Sequence, residues 1–332
     1  MAFPIAGAGT TPPLWPVGST ANALGANKFI PEIWSGKLIE KFYASTVLAA
    51  ISNTDYEGEI KNQGDKVIIR TKPTITIRPY RADGLLTIDR PEGGNVELLI
   101  DKGDYFNLAL DDVMRIQSDI NLLEIWSDDA GEQMKIVVDR AVLLDLLSKA
   151  HAKNRGTTAG MISGDVNLGV TGTPLSVVAR SPTTGQIEIL DVILRLMQVL
   201  DEQNIPETGR WVVIPAWAAM MLKQSELRQA YLTGDSVSPL RNGRIGQIDR
   251  ATIYVSNLLP RGVVTGPPAL AANEQPFFAG TSHGLTFASQ FTNMETMRSE
   301  LSFSTLLRGL QIYGWKVLDS IAIAEAIVIK AP

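Results

Sequence analysis

The chain has 332 residues, 45% apolar and 20% charged, with 28 glycines, 18 prolines and no cysteine. This excludes an intrinsically disordered chain, and also disulfides, thiolate metal sites and a cysteine nucleophile. Thirty basic against thirty-five acidic residues leave a formal charge of −5, which is no footprint for a dedicated nucleic-acid binder.

At ~150 residues per domain the length corresponds to about two domains. No apolar run approaches the ~20 residues that span a bilayer, so no membrane partner is expected. The N-terminus has neither the basic nor the apolar region of a signal peptide. Residues 1–27 carry no charge and hold four prolines and four glycines, so they read as an extended arm. Phe3, Ile5, Leu14, Trp15 and Val17 are too many apolar side chains for so short a segment to bury. Such an arm is expected to lie across a neighbouring surface, with Trp15 as a contact.

A helical segment follows Pro31, with Trp34, Leu38 and Phe42 in phase, and fades near Ser52. From Thr54 to Tyr105 the pattern turns strand-like: Val67 to Ile69, the alternating Thr74 to Ile77, then Asn95 to Ile100. Pro73, Pro79 and Pro91 favour edge pairing, so a long two-stranded loop is expected. Its charges segregate. Lys66 to Arg81 holds five basic residues and no acid, whereas Ala82 to Asp104 holds six acids and two bases. Arg70, Lys72, Arg78 and Arg81 on one half and Asp83, Asp89 and Glu92 on the other are candidate contacts, within the loop or with a neighbour.

Ile116, Ile120, Leu123, Ser127, Ala130, Met134, Val137, Ala141, Leu144 and Ser148 step by four and three. They predict a helix over 119–152, capped by Ser118 and stopped by Asn154 to Gly156. Its length would be ~50 Å, far beyond the mean helix of about 11–12 residues. His151 would sit at its end as a partner for the helix dipole. Residues 156–185 read as loops, and Ile187 to Asp201 as a second amphipathic helix stopped at Asn204. Trp211 to Ile214 reads as a buried strand, with Pro215 opening a helix over Ala216 to Lys223. Strands follow at Ala251 to Val255, Phe277-Phe278, Leu285 to Ala288, Leu310 to Val317 and Ile321 to Ile329.

The chemistry is sparse. Gly280-Thr281-Ser282-His283-Gly284 matches G-x-S-x-G, which in α/β-hydrolases places the serine between a strand and a helix. Here an alternating strand follows, and no histidine lies beyond His283, so a serine hydrolase using Ser282 is the remote alternative and a plain turn the expected reading. Asp111-Asp112 and Asp128-Asp129 are adjacent pairs that point to different sides of a helix; solvated faces or N-terminal dipole partners are their expected roles. Gly7-Ala8-Gly9 lacks the strand and third glycine of a dinucleotide loop. No catalytic residue, cofactor or metal is expected. An apolar arm, a charged hairpin and a beam helix without chemistry describe a building block.

Several stretches resemble tailed-bacteriophage major capsid proteins. They are Phe29 to Ser35, Asp55 to Ile60, Gly64 to Val67, Asn204 to Pro206 with Gly209 to Pro215, Gly243 to Gly246, Ile253 to Pro260, and Gly309 to Val317. The resemblance covers most of the chain from Phe29, in order. It implies an α+β, HK97-like capsid fold with an N-terminal arm (1–28), an extended β-hairpin loop (54–106) and a peripheral domain (29–53 and 107–156) with a spine helix (119–152). An axial domain (157–270) and return strands (271–332) complete it. It further implies a major capsid protein whose copies form hexamers and pentamers of an icosahedral shell around packaged phage double-stranded DNA, without specific recognition of that DNA. The partners implied are a separate scaffolding protein and a portal, and the location is the virion, assembled in the host bacterial cytoplasm. An encapsulin-like nanocompartment is the alternative within the same fold. No crosslink is expected from Lys61, Lys66 or Lys72.

Overall fold

The computed structural model describes residues 43–44, 46–56, 66–73, 75–80, 88–117, 121–225, 246–262, 269–300 and 302–331. The arm lies outside them, as do Trp34, Leu38 and Phe42 of the helix expected after Pro31; in the described stretch up to Ser52 that expected helix is reduced to one turn. The lead-in segment turns through α1 (Leu48–Ile51), which buries Leu48 and Ile51. β1 (Lys66–Arg70) and β2 (Asn95–Leu99) pair antiparallel, with Lys66 opposite Leu99 and Arg70 opposite Asn95. Ile75 to Ile77, expected as strand, belongs to none. The ladder closes where the Thr71 N–H and hydroxyl both donate to Gly94 O at 2.8 Å. Pro73, two residues on, has no N–H to extend it.

β3 (Lys102–Asp111) runs directly into α2 (Asp112–Gln117). Asp111 therefore ends a strand rather than riding on a helix, and its Oδ1 accepts the Val113 N–H at 2.9 Å, the bond an N-cap makes. The long helix α3 spans Leu122–Asp145, 24 residues or about 36 Å, and is shorter than the 119–152 expected. Asn121 stands at its N-cap position; Ser118 lies outside the described residues. At the other end Ser148 has φ 63° and gives its N–H to the Glu325 carboxylate at 2.9 Å. The periodicity continues past Asp145, but a tertiary acceptor removes the backbone donor from the helix. His151 consequently lies beyond the helix end. Its Nδ1 accepts the Lys153 N–H at 3.2 Å and opens a single 3₁₀ turn, Ala152–Asn154.

The remaining elements are β4 (Leu175–Val178), β5 (Gln186–Glu188), α4 (Ile189–Glu202), β6 (Arg210–Ile214), α5 (Ala216–Gln224), β7 (Gln247–Ile248), β8 (Ala251–Val255), β9 (Gln275–Thr281), β10 (Leu285–Arg298), β11 (Ser304–Val317) and β12 (Ile323–Lys330). Strand β4 thus lies inside the stretch expected to be loop. Seven strands form one mixed sheet in the order β5-β4-β12-β9-β6-β8-β7. β6 and β9 are buried along their whole length, as strands covered on both faces must be.

Period two sorts their side chains. Val212, Ile214, Phe277, Ala279, Ala324, Ala326 and Val328 meet Val192, Ile193, Leu196, Met197 and Leu200 of α4 in one core. Trp211, Val213, Phe278, Ile323 and Ile327 join Val138, Val142, Leu143, Leu146 and Leu147, from α3 and the turn after it, in the other. Glu325 falls between Ile323 and Ile327 on this second face, which is why it meets Ser148.

β10, β11 and β3 form a separate antiparallel sheet with β11 in the middle. β10 and β11 are 14 residues each, or about 46 Å at ~3.3 Å per residue, and β10 shifts register between Ser289 and Phe291. The small β1–β2 ladder sits against β11 at Gly314, where an added Cβ would lie 2.0 Å from Leu99 O.

Candidate assembly surfaces

The loop beyond the β1–β2 ladder presents apolar side chains to solvent. Ile77 is 87% exposed and Ile88 86%, with Ile75 and Tyr80 also largely exposed. Of the charged candidates, Arg78 and Asp89 come together, Nη2 donating to Oδ1 at 3.1 Å. Both are about half exposed, so the pair contributes about 0–1 kcal/mol. Arg70, Lys72 and Glu92 are exposed; Trp15, Arg81 and Asp83 lie outside the described residues. The basic and acidic halves also meet at the ladder's base, where Lys66 Nζ stands 3.7 Å from Glu97. Sequence reasoning chose the charges and passed over the isoleucines, although Thr74 to Ile77 displays their alternation openly.

A second exposed apolar group lies at the far end of the three-stranded sheet. Phe303 is 83% exposed and Ile116 78%, beside Val113 and Met114. Arg298 of β10 grips both carboxylate oxygens of Asp112, and the Asp112 N–H donates to Phe303 O at 3.0 Å. The Arg298 guanidinium holds the Asp112 carboxyl below its usual range. These bonds fix α2 and the β10–β11 turn as one tip.

The lead-in segment is tied down by acids of α3. The Tyr43 hydroxyl donates to Asp129 Oδ1 at 2.8 Å and the Val47 N–H to Asp139 Oδ2 at 2.8 Å. Asn53 then joins β10, donating its N–H to Leu285 O and accepting the Phe287 N–H, both at 2.9 Å. Burial pushes the Asp139 carboxyl up to about 6 and that of Glu325 up to about 7. Neither acid carried a sequence signal, since each becomes special only through tertiary burial.

Within Gly280 to Gly284, the first two residues end β9 and the last three connect it to β10. Ser282–Gly284 makes a 3₁₀ turn and β10 starts at Leu285, so no helix opens after the serine. The glycines have a packing cause. A Cβ on Gly280 would lie 2.6 Å from Ala322 O, and one on Gly284 2.9 Å from Ile323 Cγ1. Among the described residues, no group of three or more His, Asp or Glu is placed to hold a metal ion.

A family model described as phage capsid protein matches residues 98–326. Among solved structures, a chain of Mycobacterium phage Che8 is 28% identical with a TM-score of 0.72, over 90% of this chain and 97% of that one. The capsid structure of the cyanophage P-SCSP1u gives 15% identity and a TM-score of 0.70, over 98% of this chain and 100% of that one. The mature capsid of bacteriophage PhiM1 gives 16% and 0.64, over 91% and 93%. No curated protein matches the chain. The chain belongs to the phage capsid protein family, with the HK97-like fold. It is a major capsid protein, a structural subunit of the icosahedral phage shell.

Proposed function

We propose that copies of this chain close as hexamers and pentamers around packaged double-stranded DNA, each reaching its neighbours through segments outside the central sheet. In this reading residues 1–28 are the arm and 54–106 the extended loop. Residues 29–53 and 107–156 form the peripheral domain, with α3 as its spine. Residues 157–270 form the axial domain, and 271–332 bring back the return strands. The observation that carries it is the exposure of Ile75, Ile77, Tyr80 and Ile88 on one loop. A subunit surface of that kind is stabilised when another copy covers it. Arg70, Lys72, Arg78, Arg81, Asp83, Asp89 and Glu92 then set the register of the contact, and Trp15 anchors the arm. Many weak contacts of this kind suffice, because repetition turns them into a stable particle.

A formal charge of −5 suits a container that confines DNA without gripping it. Assembly with a separate scaffolding protein and a portal, in the bacterial cytoplasm, completes the reading. Deletion of residues 2–27 tests it. The truncated chain is expected to melt within a few degrees of the full chain yet to give far fewer closed particles by light scattering. Full-length yields of closed particles from the truncated chain would remove the arm from the assembly.

A further inference from the structure

The lead-in segment runs along α3 from Tyr43 at Asp129 to Val47 at Asp139, then crosses to β10 at Asn53. Its middle fastening is unlike the other two. Asp139 is 1% exposed, its Oδ2 accepts the Val47 N–H, and its Oδ1 is buried with no hydrogen-bond partner among the described residues. A buried carboxylate with one backbone donor and no cation is a costly arrangement.

Among the described residues, no neighbouring side chain compensates that charge. The cavity of about 280 Å³ beside it is lined by Leu48 and Ala49 of the lead-in, Val138 of α3, Phe287 of β10 and Gln311 of β11. Lys135, one turn back on α3, lines the same cavity and is the single titratable neighbour there among the described residues. It extends into solvent and pairs with Glu132 at 2.6 Å. Arg140, next along α3, is exposed.

We infer that Asp139 is a proton-operated latch on α3, holding the lead-in segment at Val47 tightly when its carboxyl is neutral and loosely when it is ionised. Lifting the segment lets water reach the carboxyl, which then ionises as an ordinary aspartate, near 3.8. With the segment down, burial holds the group up to about 6. Docking therefore takes up a proton between those values. It weakens with rising pH by up to tenfold per unit, roughly 100-fold across the window, and is level above it. The segment that joins the arm to the fold is thus fastened most firmly in mild acid and is easiest to lift at neutral pH.

Hydrogen–deuterium exchange of the peptide covering residues 46–52, corrected for intrinsic rates, tests this on the full chain from pH 4.5 to 8. The wild type is expected to lose protection steeply up to about pH 6 and then level off. Asp139→Asn, which keeps an acceptor for Val47 but cannot titrate, is expected to show no such slope. Glu325→Gln, which removes the other raised carboxyl among the described residues, is expected to keep it. A flat wild-type profile, or a slope that survives in Asp139→Asn, would overturn the latch. If Asp139→Asn does not fold, the wild type and Glu325→Gln still decide. A slope lost in Glu325→Gln assigns the proton to Glu325 and also overturns it.

Discussion

Gly314 lies where the carbonyl of Leu99 crosses β11, with no room for a methyl group. An alanine there would place its Cβ 2.0 Å from that oxygen, and backbone cannot yield as a flexible side chain can. Gly314→Ala is therefore expected to lower stability by on the order of 1–3 kcal/mol, measured by urea unfolding. Gly309 has a milder version of the same constraint. It pairs with Phe106, whose ring fills the space over it, an aromatic cover for a strand glycine.

Glu325 gives a pH signature instead. Burial raises its carboxyl from an ordinary 4.5 to about 7, so the native state binds that proton more tightly than the unfolded chain. Its contribution is complete below pH ~4.5 and is lost as pH rises through about 7. Glu325→Gln does not titrate. Relative to wild type it is expected to gain on the order of 3 kcal/mol between pH 4.5 and 8, read as diverging urea midpoints. Parallel midpoints across that range would show that Glu325 is solvated.

The elements differ in how openly the sequence announces them. Trp211 to Ile214 and the amphipathic turns of Ile187 to Asp201 are visible because their apolar side chains are the buried ones; Val67 to Ile69 is visible from its β-branched run, although Ile68 is half exposed. The outer halves of β10 and β11 are not, because Asn293, Glu295 and Arg308 are exposed on a sheet with solvent beside it and the pattern shows no consistent alternation. The end of α3 is hidden for another reason. Leu144 and Ser148 keep helical spacing, and only Glu325, far along the chain, shows why the helix stops. Asn154 is similar: its side chain donates to Ile321 O at 2.6 Å and Ile323 O at 3.0 Å, a role that no local pattern signals.

The loop was legible as a charged hairpin, but its apolar surface emerges only when the ladder is seen to end at Arg70 and Asn95. Its ion pair is nevertheless testable. Arg78→Glu with Arg81→Glu removes a half-exposed pair, so the subunit is expected to melt within the ~1 kcal/mol that such pairs contribute, while assembly at low salt fails or misdirects. Light scattering over a salt series, beside thermal melts, reads both. Wild-type assembly should itself weaken with salt, since exposed charges are screened beyond ~8 Å at 0.15 M. Normal low-salt assembly of the double reversal would make these charges solvated decoration.

At the scale of the molecule, one sheet carries most of the core and the extensions carry the surfaces left uncovered. α4 covers one face of the seven-stranded sheet and α3 the other, so both of its faces are buried within the subunit. Among the described residues the loop isoleucines and the tip around Phe303 have no such cover, a division suited to a subunit that folds first and meets its copies afterwards. The most direct measurement is cryo-electron microscopy of the purified full chain, alone and with a candidate scaffolding protein. The expected result is closed icosahedral particles in which the loop of each copy, with Ile77 and Ile88, lies on the next copy. A chain that stays monomeric in both preparations, across salt and concentration, would contradict the account.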